Sequence, residues 1–376
     1  MGIIPRKIQK PIENSLFKRK IIIIYGARQV GKTTLVKEIL KKYAKNSAYY
    51  DCDEPDIRQA LVDKTSTELK AFFGKNKLIV LDEAQRIKNI GLILKLIADN
   101  FPDIQVIATG SSSFDLANNI IEPLTGRKYE FYLYPFSYEE LKSVYSEIEF
   151  DRLLEQRIIF GMYPGVIFGG SDSGKYLKEL AQSYLYKDIL QYGGIKHSEV
   201  IEKLIQALAL QISNEVSYNE LALTVGIDKN TVASYIEILE KAFIVFRLKP
   251  FSRNLRNELK KLRKIYFYDT GIRNAVINNL NPMNLRNDVG SLWENFMVSE
   301  RLKYNQNNQR DKNIYFWRTR AGQEIDYLEE AGGQIKGYEF KWLKQKFRPN
   351  KIFLSAYPKS KIQLINRSNY SELFKD

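Results

Sequence analysis

Imidazole and thiol chemistry have almost no material in this chain: among its 376 residues there is one histidine, His197, and one cysteine, Cys52. A single cysteine excludes an internal disulfide and a cysteine-based zinc cluster. A single histidine leaves little for imidazole catalysis or a histidine-held metal. No apolar run approaches the roughly 20 residues that span a bilayer. The first fifteen residues lack the apolar segment of a signal peptide, and Arg6 breaks the myristoylation pattern. These absences predict a cytoplasmic protein without a membrane partner, its chemistry resting on carboxylates, lysine, arginine and backbone amides. His197 then reads as a surface or structural residue and Cys52 as a small apolar one.

What is present is positive charge and aromatic bulk. Lysine and arginine number 58 against 44 acids, a formal net charge of +14. That excess favours an acidic partner, nucleic acid first and an anionic membrane surface second. With 24 Tyr, 20 Phe and 44% apolar residues the composition is that of a globular chain. Its length predicts two or three domains.

The first part alternates strand and helix signals. Ile21–Tyr25 is a continuous β-branched run, as in a strand buried on both faces. Helical spacing follows over Thr33–Tyr43. Ala48–Cys52, Leu78–Leu81, Ile104–Thr109 and Tyr129–Tyr134 read as further strands, and Gly91–Asn100 as a helix. The expected fold class is therefore α/β, a doubly wound parallel sheet. From Ser137 to about Lys196 the pattern turns helical.

Between the first strand and its helix stands GARQVGKT, a match to G-x-x-x-x-G-K-S/T in the context that pattern requires. Its residues Gly26, Ala27, Arg28, Gln29, Val30, Gly31, Lys32 and Thr33, with Thr34 beyond, form the expected cradle for the phosphates of ATP. The glycines let the backbone curl, and the helix N-terminus adds positive charge. Lys32 is expected to reach the outer phosphates and Thr33 to ligate Mg2+; Arg28 could equally point to solvent. The strand Leu78–Leu81 ends in Asp82 and Glu83. Asp82 would hold the magnesium, and Glu83 would orient or deprotonate the attacking water. An isolated acid pair can simply open a solvated helix, but beside the Lys32 loop that reading is the lesser one. Ser111, after the strand Ile104–Thr109, could sense the γ-phosphate. Arg127 could act on a neighbouring subunit's nucleotide, which would make the protein a homo-oligomer, or it could be a surface arginine.

Here the chain resembles a family: bacterial and archaeal AAA+ type ATPases with a C-terminal domain of unknown function related to the PD-(D/E)XK nucleases. The motifs that carry the resemblance are GARQVGKTTL, LIVLDEAQ, ATGSSS, LTGR, YLYPFSYEE and KIYFYDTG, followed by WEN, WRT, EID and EFK. It implies an AAA+ core over 1–136, a helical lid over 137–200, a winged helix over 201–250, and a nuclease-like α/β domain with a basic linker over 251–376.

The residues themselves also read as a helix-turn-helix. Ser217 caps Tyr218–Val225, Gly226–Asp228 turns, and Asp228 caps Lys229–Ala242, with wing-like strands in Phe243–Leu248. The second helix would offer Lys229, Asn230, Thr231, Ser234 and Tyr235 to DNA bases. Arg247, Lys249, Arg253, Arg256, Lys260, Lys261, Arg263 and Lys264 would contact phosphates. Winged helices also serve as protein-docking modules.

In the tail, Gly332 and Gly333 centre a hairpin turn that pairs Ala331 with Gln334, and by continuation Asp326 with Glu339 and Glu324 with Lys341. One face would then gather Ile325, Tyr327, Tyr338 and Phe340. Facing carboxylates need a cation between them, either Lys341 or a hard divalent ion. Glu294, on an expected helix Leu292–Leu302, could complete the set. The nuclease resemblance implies the same group: Asp326, Glu339 and Lys341, with Glu294 as the helical acid and Asp326 and Glu339 as metal ligands. Ile325 stands where that pattern has proline. The expected function is ATP binding and hydrolysis coupled to DNA binding, with Mg2+-dependent cleavage by the tail. The alternative is a nucleotide-controlled signalling or scaffold switch whose winged helix and inactive tail bind proteins.

Overall fold

The computed structural model describes residues 2–110, 124–183, 198–251, 263–319, 321–343 and 346–375. Ser111, Arg253, Arg256, Lys260, Lys261 and His197 lie outside the described residues. The chain divides into two compact units. One holds the residues up to Phe136 together with Lys241–Phe243, and the other the described remainder.

The first unit is a five-stranded parallel sheet in the order β2-β3-β4-β1-β5. Its strands are β1 (Ile21–Gly26), β2 (Ser47–Asp51), β3 (Leu78–Asp82), β4 (Gln105–Gly110) and β5 (Lys128–Leu133). Every residue of β1, β3 and β4 is buried, which is why they read as unbroken apolar runs rather than as alternation. Helices Lys32–Lys41 and Ile90–Asn100 turn Leu35, Val36 and Ile39, and Ile93, Leu94 and Ile97, inward. The expected strands are found within one or two residues of their predicted ends. The strand order is not predictable residue by residue, and it decides the site. Because β4 inserts between β1 and β3, the carboxyl ends of three adjacent strands carry Gly26, Thr109 and Asp82 side by side.

The second unit opens with helices, among them Glu147–Phe160, whose start is fixed by reciprocal Ser146 and Glu149 hydrogen bonds. Helix Ser198–Leu210 leads to β6 (Glu215–Val216), helices Tyr218–Val225 and Lys229–Lys241, β7 (Val245–Pro250) and β8 (Arg263–Phe267). The Ser217 side chain accepts from the Glu220 amide, and Asp228 accepts from the amides of Asn230 and Thr231, as the sequence suggests. The wing strands depart from expectation. β7 pairs with β8 from beyond residue 262, not within Phe243–Leu248, and β8 pairs with β6 on its other edge.

These strands do not stand apart from the tail. One seven-stranded sheet runs β12-β11-β10-β9-β7-β8-β6, adding β9 (Asn313–Arg318), β10 (Glu324–Ala331), β11 (Gln334–Phe340) and β12 (Lys361–Ile365). Parallel pairing of Lys249 with Tyr315 and Pro250 with Phe316 carries it across the division expected at residue 250. The β10–β11 register runs from Ala331↔Gln334 to Tyr327↔Tyr338 as expected, around Gly332 (φ 58°) and Gly333 (φ 75°).

The single apolar face expected of that hairpin is split. The β9–β10 ladder shifts register between Ile325 and Leu328, and such an irregularity reverses the alternation beyond it. Ile325 and Leu328 pack together with Trp317, Ile335 and Phe353. Tyr327 instead donates to Glu329, which receives a two-pronged, fully buried ion pair from Arg301 on helix Val289–Asn307.

Candidate functional site

The loop after β1 is shaped by backbone constraints that only its own residues meet. A Cβ at Gly26 would stand 2.3 Å from the Leu133 carbonyl oxygen, so β5 admits nothing larger than glycine there. Gly31 has φ +98°, a conformation costly for any residue with a Cβ. Ala27 and Val30 are buried, while Arg28 is half-buried and Gln29 and Thr34 are exposed. The buried Lys32 amine donates to the carbonyls of Gly26 (3.0 Å) and Ala27 (2.9 Å) and lies 3.8 Å from Glu83. It is held within the curl of the loop at the start of its helix.

Asp82 is the hub. The Thr33 hydroxyl donates to its Oδ2 at 2.6 Å, the Tyr49 hydroxyl to the same oxygen at 2.7 Å, and the Thr109 hydroxyl to Oδ1. Thr109 in turn accepts from the Glu83 amide at 3.1 Å. Glu83 adopts φ 53°, unusual for a residue with a side chain, and its carboxylate accepts from Gln85. Lys32, Thr33, Asp82 and Glu83 are thus brought together as the sequence predicts. Tyr49, Thr109 and Gln85 are partners that sequence reasoning misses. Thr109 and Gln85 lie inside the motifs ATGSSS and LIVLDEAQ, but no sequence signal marks Tyr49, which reaches Asp82 only because β2 pairs beside β3. Arg6 also enters unannounced, donating to the Val30 carbonyl at 2.7 Å and to the Tyr134 carbonyl, with its guanidinium over the Phe136 ring.

These donors fit magnesium. Mg2+ takes hard oxygen ligands and usually keeps waters and substrate phosphates beside one or two protein groups. Thr33 and Asp82 offer that pair, 2.6 Å apart at the loop's edge. When bound there, the ion would neutralise charge on a phosphate ligand. Arg127 stands at the other edge of the same sheet. Its carbonyl receives the Ile21 amide at the amino end of β1, and its side chain is paired with Asp99 at 2.6 Å, both exposed. It takes no part in the phosphate site of its own chain.

The tail carboxylates meet a second cation besides the expected Lys341. Lys264, placed by sequence among the phosphate-contacting linker charges, is 1% exposed. Its amine pairs with Glu294 at 2.9 Å and with Glu324, and Tyr266 donates to Glu294 at 2.7 Å. Burial alone would lower the Lys264 pKa, but Glu294, Asp326 and Glu324 together raise it. Burial, and then Asp326, push Glu294 up to about 7 and Glu339 up to about 6. Asp326 accepts from the Phe340 amide at 2.8 Å, with the Lys341 amine 3.9 Å away. Among the described residues no three acids or imidazoles are grouped to hold a metal. Of the expected set, Glu294 is tied to Lys264 and Tyr266, which leaves Asp326 and Glu339 as the candidate ligands. Glu339 and Lys341 line a cavity of about 420 Å³ with Lys346 and Arg348.

On helix Lys229–Lys241, Lys229, Asn230 and Ser234 are exposed, while Thr231 and Tyr235 are half-buried. Arg247 is tied to Glu240 and to the Tyr218 hydroxyl, so two expected phosphate contacts, Arg247 and Lys264, are engaged inside the fold. Lys249 is exposed and Arg263 half-buried.

The fold and the loop are those of a P-loop core, and residues 18–142 match the family model described as AAA domain. Two domains of unknown function match farther on, DUF8612 over residues 151–283 and DUF4143 over 289–371. The chain is 26% identical over 334 residues to an uncharacterized protein of Mycobacterium tuberculosis, covering 88% of this chain and 72% of that one. To an uncharacterized protein of Methanocaldococcus jannaschii it is 25% identical over 375 residues, covering 88% and 75%. Among solved structures it is similar to a Walker-type ATPase of Pyrococcus abyssi, with TM-score 0.50, 17% identity and coverage of 73% and 96%. That likeness is one of fold. Among the described residues no helix is long and apolar enough to cross a membrane.

Proposed function

We propose that this chain binds ATP with magnesium at the loop Gly26–Thr33, hydrolyses it with Glu83 as the water-positioning base, and couples the cycle to DNA. One observation carries the reading: a lysine, a hydroxyl and two carboxylates from two separate segments converge where a curled backbone meets a helix N-terminus. Calorimetric titration with MgATP tests it, with saturable heat expected for the parent and none for Lys32→Ala. Saturable binding by Lys32→Ala equal to the parent would overturn it.

DNA contact is supported by the order helix, strand, helix, helix, strand, strand over Ser198–Phe267, by the β6-β8-β7 pairing of a winged helix, and by the +14 net charge. Lys229, Asn230 and Ser234 are the exposed candidates for base contact. Duplex affinity should fall steeply with salt, and a flat salt series would remove the reading. For the tail, the engaged Glu294 favours the alternative of a nuclease-like domain that binds rather than cuts. DNA incubated with the protein and Mg2+ or Mn2+ should stay intact, and cleavage lost in Asp326→Ala would reverse this.

A further inference from the structure

The two edges of the parallel sheet in the first unit differ in chemistry. The carboxyl edge holds the phosphate site. The amino edge holds a trough of about 510 Å³ between the end of helix Lys32–Lys41 and the starts of β2 and β3, where Phe17, Lys41, Lys42, Tyr43, Lys45 and Lys77 line its walls. Lys41 is paired with Glu38 and Lys42 with Glu13. Lys45 and Lys77 are exposed and, among the described residues, make no ion pair. The same holds of Lys18 and Arg19, which follow Phe17, and of Lys75, two residues before Lys77.

The aromatic wall is built rather than incidental. Phe17 is 46% exposed and has φ 58°, and Arg19 follows with φ 57°. Bulky residues rarely take this conformation unless their surroundings fix it. Buried Gln105 does so from beneath: its Oε1 accepts from the Phe17 amide at 2.7 Å, and its Nε2 donates to the Lys20 carbonyl at 2.9 Å. The ring is thereby held beside Tyr43, with centroids 5.9 Å apart.

We propose that this trough is a binding site for single-stranded nucleic acid, separate from helix Lys229–Lys241 and from the nucleotide loop. Unpaired lysines follow a phosphate backbone, and an aromatic ring fixed at the rim offers a face on which any base can stack. A concave wall suits a flexible strand, whereas an anionic bilayer needs a flat or projecting apolar surface. Helix Lys32–Lys41 begins at the nucleotide loop and ends in the trough, so one rigid element of roughly 15 Å joins the two edges.

The test uses the full chain and a fluorescein-labelled oligothymidylate of about 12 nucleotides, followed by anisotropy across a salt series. Saturable binding is expected, with a log–log salt slope of about −2 to −3. Lys45→Glu with Lys77→Glu should weaken it roughly tenfold or more and flatten the slope. Phe17→Ala should weaken it roughly tenfold with the slope unchanged, a signature that a purely electrostatic surface lacks. MgATP titration of each variant checks folding, and Lys229→Glu should leave oligothymidylate binding intact even if it removes duplex binding. Parent-like affinity in both trough variants would overturn the proposal. So would displacement of the oligonucleotide by phosphatidylserine vesicles at the same charge concentration but not by unlabelled oligothymidylate.

Discussion

Each unit holds a buried lysine beside carboxylates, and the two lysines are held in opposite ways. Lys32 is held by two backbone carbonyls, with Glu83 3.8 Å away. Its amine sits on main-chain oxygens at the mouth of the loop, where an incoming phosphate would compete for it. Lys264 is paired directly with Glu294 at 2.9 Å and with Glu324, under cover of the sheet, so its charge is consumed by the fold. A buried charge with a full set of partners holds structure together, whereas one parked on neutral dipoles stays available for a ligand.

The contrast can be broken most sharply at Glu83. Glu83→Gln should retain MgATP binding while slowing hydrolysis by roughly 10²- to 10⁴-fold, read by phosphate release. Equal turnover in variant and parent would remove Glu83 from the chemistry. Next in size, Lys264→Met should destabilise the second unit by about 3 kcal/mol, since it strands buried acids without a partner. All three tryptophans, Trp293, Trp317 and Trp342, lie in that unit, so urea unfolding followed by their emission reports on it alone. A midpoint equal to the parent's would show that Lys264 is not structural.

The pH dependence sharpens the same point. The folded state raises Glu294 from 4.5 to about 7, so it holds that proton more tightly than the unfolded chain does. The resulting stability is fully present below about pH 4.5 and is lost as pH rises through about 7. Glu294→Gln should flatten the fall in urea midpoint across that window, and an unchanged slope would assign the loss to other groups. The smallest effect is expected at Arg127, whose exposed pair with Asp99 contributes about 0–1 kcal/mol. Arg127→Ala should leave the hydrolysis rate within about twofold, as for a surface ion pair. A large loss that depends on protein concentration would instead show that it reaches a neighbouring subunit's nucleotide.

Motifs whose residues act through local backbone are legible in the amino-acid order alone. Gly26, Gly31 and Lys32 belong to one turn, and Asp82 and Glu83 end one apolar strand, so spacing places them. The hairpin register is legible too, because Gly332 and Gly333 fix a two-residue turn. Partners supplied from other strands are not. Tyr49 carries no local signal, and Lys264, although it opens the motif KIYFYDTG, reads as one more linker cation until β8 carries it into the interior.

The amino-acid sequence thus determined the α/β core, the phosphate loop and its acids, and the pairing of β10 with β11, since each depends on contacts close in the chain or on strict periodicity. Only the tertiary structure decided that β4 separates β1 from β3, that the ladder irregularity in β10 splits the expected apolar face, and that Lys264 joins Lys341 among the tail carboxylates. Strand order and burial depend on side-chain packing summed over the whole unit, and no local pattern encodes that sum.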